Sequence, residues 1–436
     1  MSRAHLPPEM RPAVRRRRRL AERDGHRATT ANAQAIYPFV AEGGLGGRGV
    51  YIGRDLYGAS FAYDPFALYE QRLLTNPNML VLGEVGSAKS SLVKTYLYRQ
   101  ALFGRIPWIA DPKGEYAPLA RALGAEPVRL EPGGDVRLNP IARGAGWQSQ
   151  LMLLQAVCAS ALGRHLRPEE EGALREALRL LNDRSGGEPT LPMVVELLFR
   201  PTAEMAERIV TTPDQMAATA RAAALGLQRL CEGDLKGMFD GPTSAHLDLS
   251  GRAVVFDLSA FYDSAALGIG MTCASAWQRA AIAALHAEAD RAGVAAPKVV
   301  NVFDEAWRVV GILGIGEWLQ DSFKRSRAYG IQNLVVTHRL SDLSAAGAAG
   351  SREVALAEGL LHDAHTRVIY RQVEDEVPHT RELLGLTSLE AEILPALDPG
   401  VALWKVGTRS FLVQHRISDV EVPIVDTDGR MLDCRP

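Results

Sequence analysis

A chain of 436 residues, 47% hydrophobic and 23% charged, carries enough apolar content for two or three packed domains. Its net charge of −2 argues against a globally basic nucleic-acid binder. No apolar run reaches the ~18 residues of a membrane span, and no apolar core follows the N-terminal charges as in a signal peptide, so the expectation is a cytoplasmic chain.

The charge is uneven. Residues 1–30 hold nine arginines, among them the consecutive Arg15, Arg16, Arg17, Arg18 and Arg19, against three acids; this segment carries +6 and leaves −8 for the remainder. A solvated tail is one reading, and a tether to anionic lipid or nucleic acid is the other. A glycine-rich joint, GGLGGRG, closes this first region (1–49). The cysteines Cys158, Cys231, Cys273 and Cys434 never pair as C-x-x-C, which predicts reduced thiols rather than a zinc site or disulfides.

A short entry module (50–75) leads to NMLVLGEVGSAKSSLVKTYL. An apolar strand over 79–82 runs into Gly83, Glu84, Val85, Gly86, Ser87, Ala88, Lys89, Ser90 and Ser91 at the start of a helix. In a phosphate loop, backbone N–H groups and the helix N-terminus converge on phosphate, the lysine neutralises its outer oxygens, and the hydroxyl after it holds Mg2+. Ala88 stands where the common pattern has glycine. If its backbone must adopt a positive φ, the methyl group costs ~1–2 kcal/mol. An ordinary glycine-rich turn is the competing reading.

Nearly continuous apolar runs at 106–110, 254–256, 299–303 and 334–336 suit parallel strands buried on both faces, separated by helical patterns. The expected fold class is therefore α/β. Between the first two runs the strands vanish: residues 147–240 repeat apolar residues at i, i+3 and i+4, with Pro168 and three glutamates at one helix start, and read as an all-helical insertion. It divides the α/β core into 50–146 and 241–436. Residues 401–413 read as a hairpin turning at Gly407 and Thr408.

Chemistry gathers at strand ends, where open α/β sheets place their sites. KVVNVFDEAW ends a strand in Asp304 and Glu305. The first carboxylate suits the Mg2+ water shell and the second suits orienting or deprotonating an attacking water; an N-cap role for Asp304 is the alternative. Asp111, Lys113 and Glu115 follow the 106–110 strand, either as a solvated turn or as part of the site. Thr337 and His338 end the 334–336 strand, where a hydroxyl and an imidazole beside the DE strand suit γ-phosphate sensing, or where the histidine is a satisfied buried group. Arg325 and Arg327, late in the preceding helix, fit a solvated face or an arginine finger.

The ordered set GEVGSAKSS, DPKGEY, LNPI, FDEAW, RAYG followed by a strand ending in TH, and GVALWKVGTRSFLV resembles the ATPases of type IV secretion and conjugation. The match is to the C-terminal motor domain of the TraC/VirB-four class within the FtsK/HerA superfamily, over residue 50 to the C-terminus. The resemblance implies a RecA-like P-loop fold with an inserted helical subdomain, ATP and Mg2+ as cofactors, and a homo-oligomeric, hexameric ring. It implies work at the inner membrane with the secretion machinery, as a motor for pilus assembly or for DNA or protein transfer. By position, Lys89 and Ser90 would take phosphate and Mg2+, Asp304 and Glu305 would be the Walker B pair, and Arg327 would be a finger acting in trans. Ala88 and His338 depart from the pattern, which usually has glycine and glutamine there, and this bears on turnover. The family's substantial N-terminal domain has no counterpart, so docking would depend on another chain. A DNA-pumping coupling protein, with Lys113, Arg200 and Lys236 as candidate pore residues, and a nucleotide-binding scaffold without turnover are the alternatives.

Overall fold

The computed structural model describes residues 44–142, 146–184, 187–233, 235–244, 252–261, 266–305, 320, 323–324, 326–341 and 352–425. The basic segment around Arg15–Arg19, Arg325, Trp307 and Cys434 lie outside them. Eleven strands form one sheet: β1 (Val50–Asp55), β2 (Ser60–Tyr63), β3 (Met79–Leu82), β4 (Ile106–Asp111), β5 (Val128–Arg129), β6 (Val254–Asp257), β7 (Val299–Phe303), β8 (Ile331–Thr337), β9 (Thr366–Ile369), β10 (Val401–Val406) and β11 (Arg409–His415). Their spatial order is β2-β1-β11-β10-β9-β3-β8-β7-β4-β6-β5. Seven neighbouring strands, β9 to β5 in that order, are parallel. The four from β10 outward to β2 are antiparallel.

The apolar runs explain this centre. Every residue of β3, β7 and β8 is buried, and successive side chains serve opposite faces. Leu80 and Leu82 enter one hydrophobic cluster with Trp108 and the helical segment, whereas Met79 and Val81 enter a second with Val300 and Val302. The 334–336 run starts three residues late because Gln332 and Asn333 break the apolar pattern after Ile331. Both are buried within β8, and each is paired sideways at its side-chain oxygen: Tyr96 donates to Gln332 (2.7 Å) and Asn301 donates to Asn333 (3.1 Å), while the buried Nε2 of Gln332 has no partner among the described residues. Polar residues so paired do not interrupt a buried strand.

Helices α1 (Pro65–Glu70), α2 (Lys89–Leu102) and α3 (Ala117–Ala122) precede β5. Between β5 and β6 come α4 (Trp147–Leu162), α5 (Pro168–Asp183), α6 (Leu191–Phe199), α7 (Ala203–Arg208) and α8 (Pro213–Glu232), with no strand among the described residues. Local signals set their ends. Thr202 and Thr212 accept the backbone N–H of Met205 and Gln215, both at 3.3 Å, and proline opens α5 and α8. A long helix, α9 (Ala266–Ala292), returns the chain to β7, and Gly407, at φ 58°, opens the two-residue turn between β10 and β11. Among the described residues, no helix is long and apolar enough to cross a membrane.

Candidate nucleotide site

The carboxyl ends of β3, β8, β7 and β4 lie side by side in that order. From β3 the chain turns at Gly83, where a Cβ would stand 2.5 Å from the Cβ of Tyr370, so only glycine fits. The residues after β9 brace the loop: Tyr370 N–H donates to Leu82 O (2.8 Å) and Glu84 N–H to Arg371 O (3.1 Å). Gly86 takes φ 78°, and Val85 between them is 78% exposed at the tip. Ser87 is buried and donates to Glu84 O at 2.7 Å.

Ala88 takes φ 77°, ψ 24°, directly before α2. The left-handed condition is therefore met, and this alanine carries the ~1–2 kcal/mol strain that glycine would avoid. Lys89 follows, buried, its Nζ donating to Gly83 O (2.5 Å) and Glu84 O (2.7 Å). Those carbonyls stand in for the anionic oxygens a phosphate would offer. Burial lowers its pKa to about 8, against the opposing pull of Asp304 and Glu305. Ser90 and Ser91 lie half-buried in the first turn of the same helix. A fourteen-residue helix N-terminus, an open Gly86 and an ammonium folded onto carbonyls form a cradle that fits a phosphate chain.

Asp304 and Glu305 directly follow β7, 7% and 3% exposed. Asp304 accepts Tyr116 O–H (3.0 Å) and the Glu305 N–H (3.0 Å), and burial pushes its pKa up. Glu305 has φ 55°, the left-handed region in a non-glycine residue. Its carboxylate is flanked from both neighbouring strands: Lys113 from the β4 side forms an ion pair with it, and His338 Nε2 from the β8 side lies 3.0 Å from Oε1. Thr337 is buried beside Leu82 in the β3–β8 register and donates to Arg339 O (3.2 Å).

The sequence pattern gave Lys113 two competing roles, turn or site, and a third as a pore residue. Its ammonium meets Glu305 at the site. Asp111 shapes the loop that carries it, accepting the N–H groups of Lys113 (3.1 Å), Gly114 (2.9 Å) and Tyr116 (2.8 Å). Burial pushes Asp111 up to about 6. Tyr116 was missed altogether; its position after the DPKGE turn, on a loop closing a central parallel strand, was the available signal. Arg327 is not helical: it sits exposed in the turn before β8, closed by Gly330 N–H donating to Arg327 O (3.4 Å) with Gly330 at φ 59°. It stands at the amino end of β8, a strand length of roughly 20 Å from Thr337. The structure thus brings together Lys89, Ser90, Asp304, Glu305, Thr337 and His338, and leaves Arg327 at the opposite edge.

No family model and no curated relative matches the sequence. Among solved structures the chain is similar to VirB4 of Thermoanaerobacter pseudethanolicus, with 22% identity over 87% of this chain and 100% of that one and a TM-score of 0.68. It is also similar to the plasmid coupling protein TrwB with the non-hydrolysable ATP analogue ADPNP (16% identity, 78% and 86% covered, TM-score 0.51). TrwB with ADP and Mg2+ gives 16% identity and a TM-score of 0.50 over the same shares. At such identities the likeness is one of fold, and the fold is the RecA-like P-loop architecture: a mostly parallel sheet with helices.

Proposed function

We propose that this chain is an ATP-hydrolysing motor of a conjugative or type IV secretion system. The carrying observation is the meeting of the Lys89 cradle, the Asp304–Glu305 pair and the Thr337–His338 strand end at one edge of a sheet shared in fold with VirB4 and TrwB. In this reading the backbone of residues 83–88 and Lys89 would hold the phosphates, and Ser90 and Asp304 would hold Mg2+. The metal, when bound, screens phosphate charge. Glu305 orients the attacking water and takes its proton, and His338 fixes the carboxylate that does so. Tyr116 donates to Asp304 and so anchors its carboxylate at the strand end.

Arg327 cannot serve its own site from the far edge of the sheet, so a catalytic role for it requires a neighbour; this supports a homo-oligomeric ring, with six subunits as the expected number. The helical segment of 147–240 is the inserted subdomain of this motor, and the +6 N-terminal segment would hold it against the inner membrane. Steady-state ATP hydrolysis with and without DNA tests the reading. Hydrolysis that Lys89→Ala and Glu305→Gln each abolish is expected, with only Lys89→Ala abolishing Mg-ATP binding in calorimetry. Strong stimulation by DNA would favour the DNA pump, and nucleotide binding without turnover would favour a scaffold.

A further inference from the structure

The loop after β4 touches both members of the carboxylate pair: Tyr116 reaches Asp304, and Lys113 reaches Glu305. Three N–H groups closing on Asp111, and Gly114 at φ 71°, fix the loop through its own bonds. Only the Lys113 side chain, 28% exposed, has room to redirect. Its charge already disfavours the charged form of Lys89, so the two ammonium groups share one electrostatic field at the cradle. At the cradle two cations, Lys89 and Lys113, face two buried carboxylates, Asp304 and Glu305. A triphosphate brings several negative charges into that balance, and a flexible ammonium goes to the stronger anion.

We propose that Lys113 reads the terminal phosphate of a nucleoside triphosphate: it holds Glu305 in an ion pair when the site is empty and transfers to that phosphate on binding, leaving Glu305 positioned by His338. The transfer breaks one ion pair and makes another, with no proton or covalent change. Lys113 is then a second phosphate-binding lysine that separates triphosphate from diphosphate, and a positioning residue for Glu305. This rests on the nucleotide-site reading above.

Binding of a non-hydrolysable ATP analogue and of ADP, both with Mg2+, measured by calorimetry on the full chain, tests it without using turnover. Lys113→Met should weaken the analogue roughly 10- to 100-fold, the value of a lost charge-assisted bond, and leave ADP within about twofold. Lys113→Arg should keep most of the preference, which also shows that the loop tolerates substitution. The deciding variant is Glu305→Gln. With its rival for Lys113 neutralised, the analogue should bind several-fold tighter than to the wild type, and that gain should vanish in Lys113→Met/Glu305→Gln. Equal weakening of analogue and ADP by Lys113→Met, or a Glu305→Gln gain that survives without Lys113, would overturn the transfer and leave Lys113 as a static anchor. A wild-type chain that binds neither nucleotide would overturn the site reading as well, so the two failures are told apart.

Discussion

Buried charge is handled in opposite ways in the helical segment and at the carboxyl edge of the sheet. Glu170, fully enclosed at the start of α5, accepts two bonds from Arg164 (2.8 and 2.7 Å), one from the Arg167 backbone (2.9 Å) and one from its guanidinium (3.0 Å). Arg164 first, then the Arg167 bonds, hold its pKa down at about 2. At the sheet edge the same physics is left incomplete: burial drives Asp304 up and Lys89 down, and two non-glycine residues, Ala88 and Glu305, sit at left-handed φ. One region holds its groups in their preferred charge states. The other holds them away from those states, where an incoming charged ligand would relieve them. Left-handed φ alone does not mark a site, since Arg72 and Val210 adopt it elsewhere; the sheet edge stands out because there it coincides with buried, unfavourably placed charge.

The largest expected effect would break this contrast at a distance. If Arg327 is a finger, Arg327→Ala and Glu305→Gln should each lower hydrolysis by ~10³ or more. Mixed under conditions where subunits exchange, the two variants would form some interfaces pairing an intact Arg327 with a neighbour's intact Glu305. Partial recovery of hydrolysis is the expected outcome. Proven exchange without recovery would leave Arg327 a surface residue and the incomplete sheet edge self-sufficient.

Lys89 offers the next test. Its pKa of about 8 lies below that of a free lysine, so the empty site loses its cation as pH rises through 8. A phosphate favours the charged form, so binding takes up a proton above that pH. Nucleotide affinity should be flat between pH 6.5 and 7.5 and fall by up to about tenfold per unit above 8, until the pKa of the bound form is reached. Calorimetry in buffers of different ionisation enthalpy would show the proton uptake directly. Affinity unchanged to pH 9.5 would mean that Lys89 is not the phosphate partner.

Much of this edge was legible from residue order alone. The runs 79–82, 106–110, 254–256 and 299–303 become β3, β4, β6 and β7 nearly to the residue, because strands buried on both faces must be apolar throughout. The short strands β5 and β9 carry no such signal, and β8 hid its first residues behind Gln332 and Asn333. The motif residues at the site were visible as types at strand ends. The Lys113–Glu305 and Tyr116–Asp304 contacts were not, since they depend on β4 lying beside β7, a neighbour relation between strands roughly 190 residues apart.

In the helical segment, Glu170→Gln should lower stability by ~1–2 kcal/mol, the worth of the charge-assisted bonds that the enclosed carboxylate accepts, reduced because its arginine partners are solvent-screened, with nucleotide affinity unchanged. The pH dependence has a definite sign. The folded pKa of about 2 lies below the ordinary 4.5, so the contribution of Glu170 is full above 4.5 and is lost as pH falls towards 2. Melting temperature should therefore fall more steeply in that window for the wild type than for the variant. Parallel curves would mean the arginines contribute nothing net.

The smallest effect probes the strain itself. Ala88→Gly removes the penalty of a left-handed alanine, ~1–2 kcal/mol, and adds the backbone freedom of glycine to the unfolded chain, about 0.5–1 kcal/mol. The net expectation is a gain of 0 to ~1.5 kcal/mol in denaturant unfolding. Nucleotide affinity separates two origins of that strain. If Ala88 holds φ near 77° in both empty and bound states, the gain is common to both and affinity stays the same. If the loop must move towards a still more strained geometry to meet phosphate, Ala88→Gly tightens binding as well as stabilising the fold. A destabilised Ala88→Gly chain would remove the left-handed assignment, and with it half of the contrast between the strained edge and the satisfied helices.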